Sequence, residues 1–269
     1  IKNGVESIGE RTFSDCTALE SLTLPYAGLS IENVKNNTYP LSTNLFSYGV
    51  PEGTYSATGN GYNGVPKTLT SITITGGTRI PNSAFYGMSS LKTINLPNTI
   101  TNIGSNALYG CSSMTGIKLP NSLTTIEDSA FNNCSSLKFE NIIIPSTLTS
   151  IGNYAFANCN GFTKLTVPGT IKTIGNYAFS GCKGLTSVTV SGTVKTIGQY
   201  AFSGCTSLKT AVIKNGVESI GFHTFQQCTA LESLTLPYAG LSIENVKNNT
   251  YALSTNLFSY GVPEGTYSA

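Results

Sequence analysis

Seven cysteines, Cys16, Cys111, Cys134, Cys159, Cys182, Cys205 and Cys228, are the residues of this 269-residue chain whose type and spacing most invite a chemical reading. The last six stand 23, 25, 23, 23 and 23 residues apart, and Met88 precedes Cys111 by 23. A metal site needs ligands converging at short spacing, and the sequence holds no CxxC pair or Cys-His cluster. An odd number of thiols, with methionine in one slot, also argues against a disulfide framework. What remains is the small buried thiol that serves as a hydrophobe. No native disulfide is expected, and seven thiols should titrate once the chain is denatured.

The carboxylates are no better arranged for acid–base work. Glycoside cleavage by a parallel β-helix needs clustered acids and bases, yet the chain has two aspartates, Asp15 and Asp128, and its only adjacent acidic pair is Glu127 and Asp128. Asp128 occupies the slot of Asn176 in a neighbouring unit, which reads as a turn cap. The single histidine, His223, replaces Arg11 of an earlier copy of its segment and reads as a surface position. No nucleophile elbow, P-loop or dinucleotide fingerprint is present. An enzyme, a metal and a cofactor are therefore not expected.

The elements that position these residues repeat with the cysteines. Residues 173–195, TIGNYAFSGCKGLTSVTVSGTVK, have seven imperfect copies in the chain, and a period of this length is the signature of a solenoid. In each unit Leu185, Val188 and Val190 alternate with Ser187 and Thr189, which predicts a short strand with one buried face. Pro25, Pro97, Pro120, Pro145, Pro168 and Pro237 end six of these strands by removing the next ladder donor. Ile174, Ala178 and Phe179 predict a short extended piece followed by a single helical turn capped by Asn176.

Comparison of slots within the chain adds backbone information. The position before each cysteine is Asp15, Gly87, Gly110, Asn133, Asn158, Gly181, Gly204 or Gln227, so a left-handed residue is expected there. The glycine after the first isoleucine, as at Gly152 and Gly175, is replaced by Pro81 and Glu127 in two units, so that slot does not require positive φ.

A longer period is superimposed. Residues 213–269 duplicate residues 1–57 except at five positions, 10, 11, 14, 15 and 40 of the first copy. The chain thus reads as one solenoid domain, 1–269, excised from a longer array. Residues 26–68 are a degenerate unit with two insertions, one between Ile31 and Leu45 and one between Phe46 and Leu69. The insertions carry Tyr39, Tyr48, Tyr55 and Tyr62 among Gly, Asn, Pro and Ser, a composition suited to an ordered loop with adaptable contacts.

Stacked strands place equivalent side chains in ladders about 4.8 Å apart. The outward pairs are Thr93 and Asn95, Gly116 and Lys118, Asn141 and Ile143, Lys164 and Thr166, Ser187 and Thr189, Thr210 and Val212. This face is uncharged apart from Lys118 and Lys164, which suits contact with protein or glycan. Charged residues make up 10% of the chain against a usual figure near 25%, and the net charge is +2. No basic stripe is interleaved with aromatics, so nucleic acid is not an expected partner. No apolar run reaches the length of a membrane span. An ice-binding row of threonines is broken by Gly116, Lys118, Asn141 and Lys164.

The unit LxxVxVxxxVKTIGxYAFSGCxxL closely resembles the BspA-type, or Treponema pallidum-type, leucine-rich repeat over almost the whole chain. The core segment AFxGCxxLxxhxhP, with h apolar, is legible at residues 155–168, 178–190 and 201–213. The departures are Met88 for cysteine, Leu108 for phenylalanine, and the insertions. The resemblance implies a leucine-rich-repeat horseshoe built on a parallel β-sheet, in a secreted or cell-surface protein engaged in adhesion to host extracellular matrix or another cell. It brings no catalytic residues. The candidate contact residues are Lys118, Lys164, Thr166, Thr189, Ile143, Tyr48, Tyr55 and Tyr62. A passive spacer is the alternative reading, and a monomer with head-to-tail contacts through its ends is the expected state.

Overall fold

Alternation of apolar and hydroxyl residues turns into paired strands because only one face of each can be covered. In Ser187–Val190 the side chains of Val188 and Val190 are buried while Ser187 and Thr189 are partly exposed. The computed structural model describes residues 1, 4–9, 12–27, 45, 55–56, 65–138 and 144–237. Within them the chain winds as a parallel β-solenoid of about seven turns, and each turn, or rung, contributes to two sheets.

The front sheet is built from the strands that, in most units, follow the cysteine. Ser21–Leu24, Ser71–Ile74, Thr93–Asn95 and Gly116–Ile117 form one parallel group, and Lys164–Val167, Ser187–Val190, Thr210–Ile213 and Ser233–Thr235 form another. The rear sheet is one continuous ladder of seven two-residue strands, from Arg79–Ile80 through Thr125–Ile126 and Ser150–Ile151 to Ser219–Ile220. The rear ladder thus runs unbroken past the two-residue expansion after Lys138. On the front, Lys138 bridges to Gly161, and a Cβ on Gly161 would collide with the Leu137 carbonyl.

The segment between the sheets departs from the expected helical turn. Chained bonds such as Ser180 N to Tyr177 O (3.0 Å) and Cys182 N to Phe179 O (3.3 Å) make successive tight turns. Tyr177 at φ +56° and Gly181 at φ +70° interrupt any helical run. The freed amides donate to the following rung instead: Tyr177 N to Gln199 O, Phe179 N to Ala201 O and Gly181 N to Ser203 O, at 2.8, 2.8 and 2.7 Å. All eight residues before the cysteines or Met88 have positive φ, as expected. A second left-handed slot, at Ser83, Asn106, Ser129, Tyr154, Tyr177, Tyr200 and His223, was not visible from glycine usage.

Asn176 likewise does not cap its own turn. Its Oδ1 accepts from Gln199 N of the next rung at 2.8 Å, as Asn153 Oδ1 does from Asn176 N and Asp128 Oδ1 from Asn153 N. The core between the sheets is a column of aromatic rings. Phe131, Phe156, Phe179, Phe202 and Phe225 stack at centroid distances of 5.2 to 5.7 Å, each pair contributing roughly 0.5–1.5 kcal/mol beyond its burial.

The degenerate unit is shown in part. Leu69, Ile72 and Ile74 are buried as expected, and Ser71–Ile74 pairs directly with Ser21–Leu24. Leu45 is buried, and its carbonyl accepts from Phe13 N at 2.9 Å. In the second insertion Tyr55–Ser56 pairs antiparallel with Val65–Pro66.

Candidate partner-binding face

The register of the front sheet fixes which side chains share a column. Lys164, Ser187, Thr210 and Ser233 occupy the first outward slot, and Thr166, Thr189, Val212 and Thr235 the second. In the other group Ser71, Thr93 and Gly116 are aligned, with Thr73 beside Asn95. Lys118 follows Gly116–Ile117 in the second slot. Lys118, Lys164 and Thr166 are exposed and Thr189 is partly so. The outward pairs expected from the sequence are therefore real columns wherever they are described. Ile143, Tyr48 and Tyr62 lie outside the described residues, and of Tyr55 only its strand is described.

Polar side chains on this face bond along the columns. Thr93 Oγ1 lies 3.2 Å from Ser71 Oγ, and Asn95 Nδ2 donates to Thr73 Oγ1 at 3.1 Å. At the strand rim Thr186 Oγ1 donates to Thr163 O at 2.7 Å. Such bonds fix rotamers, and each hydroxyl keeps further capacity for a partner.

The groups that could have done other chemistry are occupied structurally. The six thiols from Cys111 to Cys228 are buried, and each donates to a carbonyl of the preceding rung at 3.1 to 3.3 Å, as Cys182 Sγ does to Phe156 O. Burial pushes the Cys134 thiol up to about 12 and holds Cys111 and Cys159 well above the ordinary thiol value. Cys16 is only partly buried. Glu127 Oε2 accepts from both Ser105 N and Ser105 Oγ at 3.0 Å, while its Oε1 takes Asn102 Nδ2 at 2.9 Å and Arg79 Nη2 at 3.4 Å. The acidic pair thus ties rungs together. His223 is half-buried rather than fully at the surface, and its ring lies 5.0 Å from that of Tyr200.

A stack of side chains escaped the sequence reading. Tyr154, Tyr177 and Tyr200 lie with ring centroids 4.5 and 4.6 Å apart and nearly parallel. Desolvation, followed by the neighbouring Tyr154 and Tyr200, raises the Tyr177 hydroxyl above its ordinary value. The signal was available, since these three tyrosines recur at the 23-residue period.

The BspA-type leucine-rich-repeat profile matches in six copies over residues 1–65, 61–139 and 135–258. The chain belongs to the BspA-type leucine-rich-repeat family. Among solved structures it is similar to a Treponema pallidum leucine-rich-repeat protein, at 28% identity and TM-score 0.51, over 69% of this chain and 87% of that one. A leucine-rich-repeat protein from Bacteroides ovatus shares the fold at 24% identity and TM-score 0.54, over 87% of this chain and 71% of that one. No curated protein is similar enough in sequence to count as a match.

Proposed function

We propose that this BspA-type chain is a non-catalytic binding module of a secreted or surface-attached protein, and that its front face contacts a protein or glycan of the matrix or of another cell. The observation that carries the reading is the front face itself. Its outward columns hold Ser, Thr and Asn, locked in register and punctuated by the exposed cations Lys118 and Lys164. A register-locked surface loses little side-chain freedom on binding. Membership of a leucine-rich-repeat family supports a scaffold role.

The test is saturable solid-phase binding to a panel of matrix proteins and glycans, beside a Lys118→Glu, Lys164→Glu variant. Binding that the variant weakens several-fold supports the front face. Binding that the variant leaves unchanged moves the contact elsewhere, with the insertion carrying Tyr48, Tyr55 and Tyr62 next in line. Failure to bind any member favours a passive spacer.

A further inference from the structure

Four successive rungs each bring one exposed lysine to the front face: Lys92, Lys118, Lys138 and Lys164. Lys92 and Lys138 stand at the rim where the strand begins, Lys118 and Lys164 in the outward slots. Among the described residues none of the four is in an ion pair, whereas Lys195 is held by Glu218 at 2.6 Å and Lys209 by Glu232 at 3.5 Å. Between Glu20 and Glu232 the described front face carries no carboxylate, Glu127 and Asp128 being committed on the turn side. Glu218 stands beside the rear strand Ser219–Ile220, paired with Lys195, and Glu32, Glu52 and Glu140 lie outside the described residues.

We infer that this band of lysines, staggered between the strand rim and the two outward slots, is a docking site for a linear acidic polysaccharide laid along the solenoid axis. The inference rests on the proposed binding role of the front face and names its ligand class. Three rung steps of about 4.8 Å give the band an axial extent of about 14 Å, so the lysines meet a polymer that carries its charges in series. Lysine presents a mobile point charge, suited to charge distributed along a chain rather than to one planar carboxylate. Between the lysines lie Thr93, Asn95 and Thr166, whose remaining hydrogen-bonding capacity matches the hydroxyls of a sugar. No aromatic side chain is exposed among the described residues of this face, so it offers unpaired bases no stacking platform.

The experiment compares a sulfated or uronate polysaccharide with a neutral polysaccharide and with DNA, using the whole chain at 50 and 300 mM salt. One variant carries Lys92→Gln, Lys118→Gln, Lys138→Gln and Lys164→Gln. A control of equal charge change carries Lys67→Gln, Lys172→Gln, Lys183→Gln and Lys214→Gln. The band variant should bind the acidic polysaccharide at least about tenfold more weakly while the control stays within about threefold, the difference that four desolvating charge contacts support. Affinity should fall with salt and rise with oligosaccharide length as more contacts engage at once.

Equal loss in both variants, equal binding of the neutral polysaccharide, or equal or tighter binding of DNA overturns the inference. If the acidic polysaccharide does not bind but a matrix protein does, and the band variant weakens that protein's binding, this inference fails while the front-face reading stands. If nothing binds, both fail.

Discussion

At the scale of single residues, identical types in identical slots have different consequences because each rests on a different neighbour. Gly152 has no positive φ, yet a Cβ there would sit 2.6 Å from the Asp128 amide and the Glu127 carbonyl carbon of the rung beneath. Gly9 occupies the same slot in the first rung, where the nearest contact would be Thr12 Oγ1 at 3.6 Å. Gly152→Ala should therefore destabilise by roughly 1–3 kcal/mol, as overpacking does, and Gly9→Ala should be near neutral. Urea midpoints of the two variants decide it, and equal shifts would refute the steric account.

The buried thiols set a second residue-scale expectation. In the unfolded chain a cysteine ionises near its ordinary value of 9.0, while folded Cys134 holds its proton to about 12. Between those values the native state binds more protons than the unfolded one, so stability is intact below pH 9 and falls as pH rises toward 12. Cys134 alone contributes a slope of about 1.4 kcal/mol per pH unit across that window. Urea unfolding at pH 8, 9 and 10 should show a declining midpoint, and Cys134→Ala should flatten the decline.

Among elements, the turn between the sheets was the least legible part. Strand periodicity and the left-handed slot before the cysteine could be read from residue types, because alternation and the preference for Gly, Asn and Asp are local properties. The second left-handed slot could not, since Tyr154, Tyr177 and Tyr200 conceal it behind a residue type that gives no backbone signal. Asn176 looked like a cap because a single unit cannot tell whether an acceptor serves its own turn or the next rung. The front-face columns were legible for the same reason as the strands, whereas contacts within the Tyr-bearing insertions depend on tertiary placement that no period encodes.

Substitutions at two positions test the turn. Tyr177→Asn and Tyr177→Val both lose the stacking on Tyr154 and Tyr200, but the β-branched Val should cost clearly more than Asn, because Asn106 adopts φ +56° in the same slot. Asn176→Leu should lose about 1 kcal/mol by orphaning the Gln199 amide, and Asn176→Asp should keep most of that bond. Thermal melts of the four variants give the ranking, and a Val variant no worse than Asn would show that the slot is not strained.

Across the whole molecule, the rear sheet carries the continuity of the stack. Its ladder crosses the two-residue expansion intact, with Thr149 N bonded to Thr124 O at 3.0 Å and Gly152 N to Ile126 O at 2.9 Å. Amide hydrogen exchange should therefore find unbroken protection along the rear strands from Ile80 to Ile220. A loss of protection between Thr125–Ile126 and Ser150–Ile151 would refute the continuous ladder.

The thiol column gives this array an internal position scale. One sulfhydryl sits at the same depth in each of six rungs, with no chemical difference among them except their place in the line, and Met88 leaves one rung silent. A timed pulse of alkylating reagent followed by peptide mapping would record which rung opens and in what order. A front advancing from one end would label the cysteines in sequence, and a break at the expansion would separate Cys111 and Cys134 from Cys159 onward. The protein thus carries, in its native residues, the markers for watching a one-dimensional chain of rungs come apart.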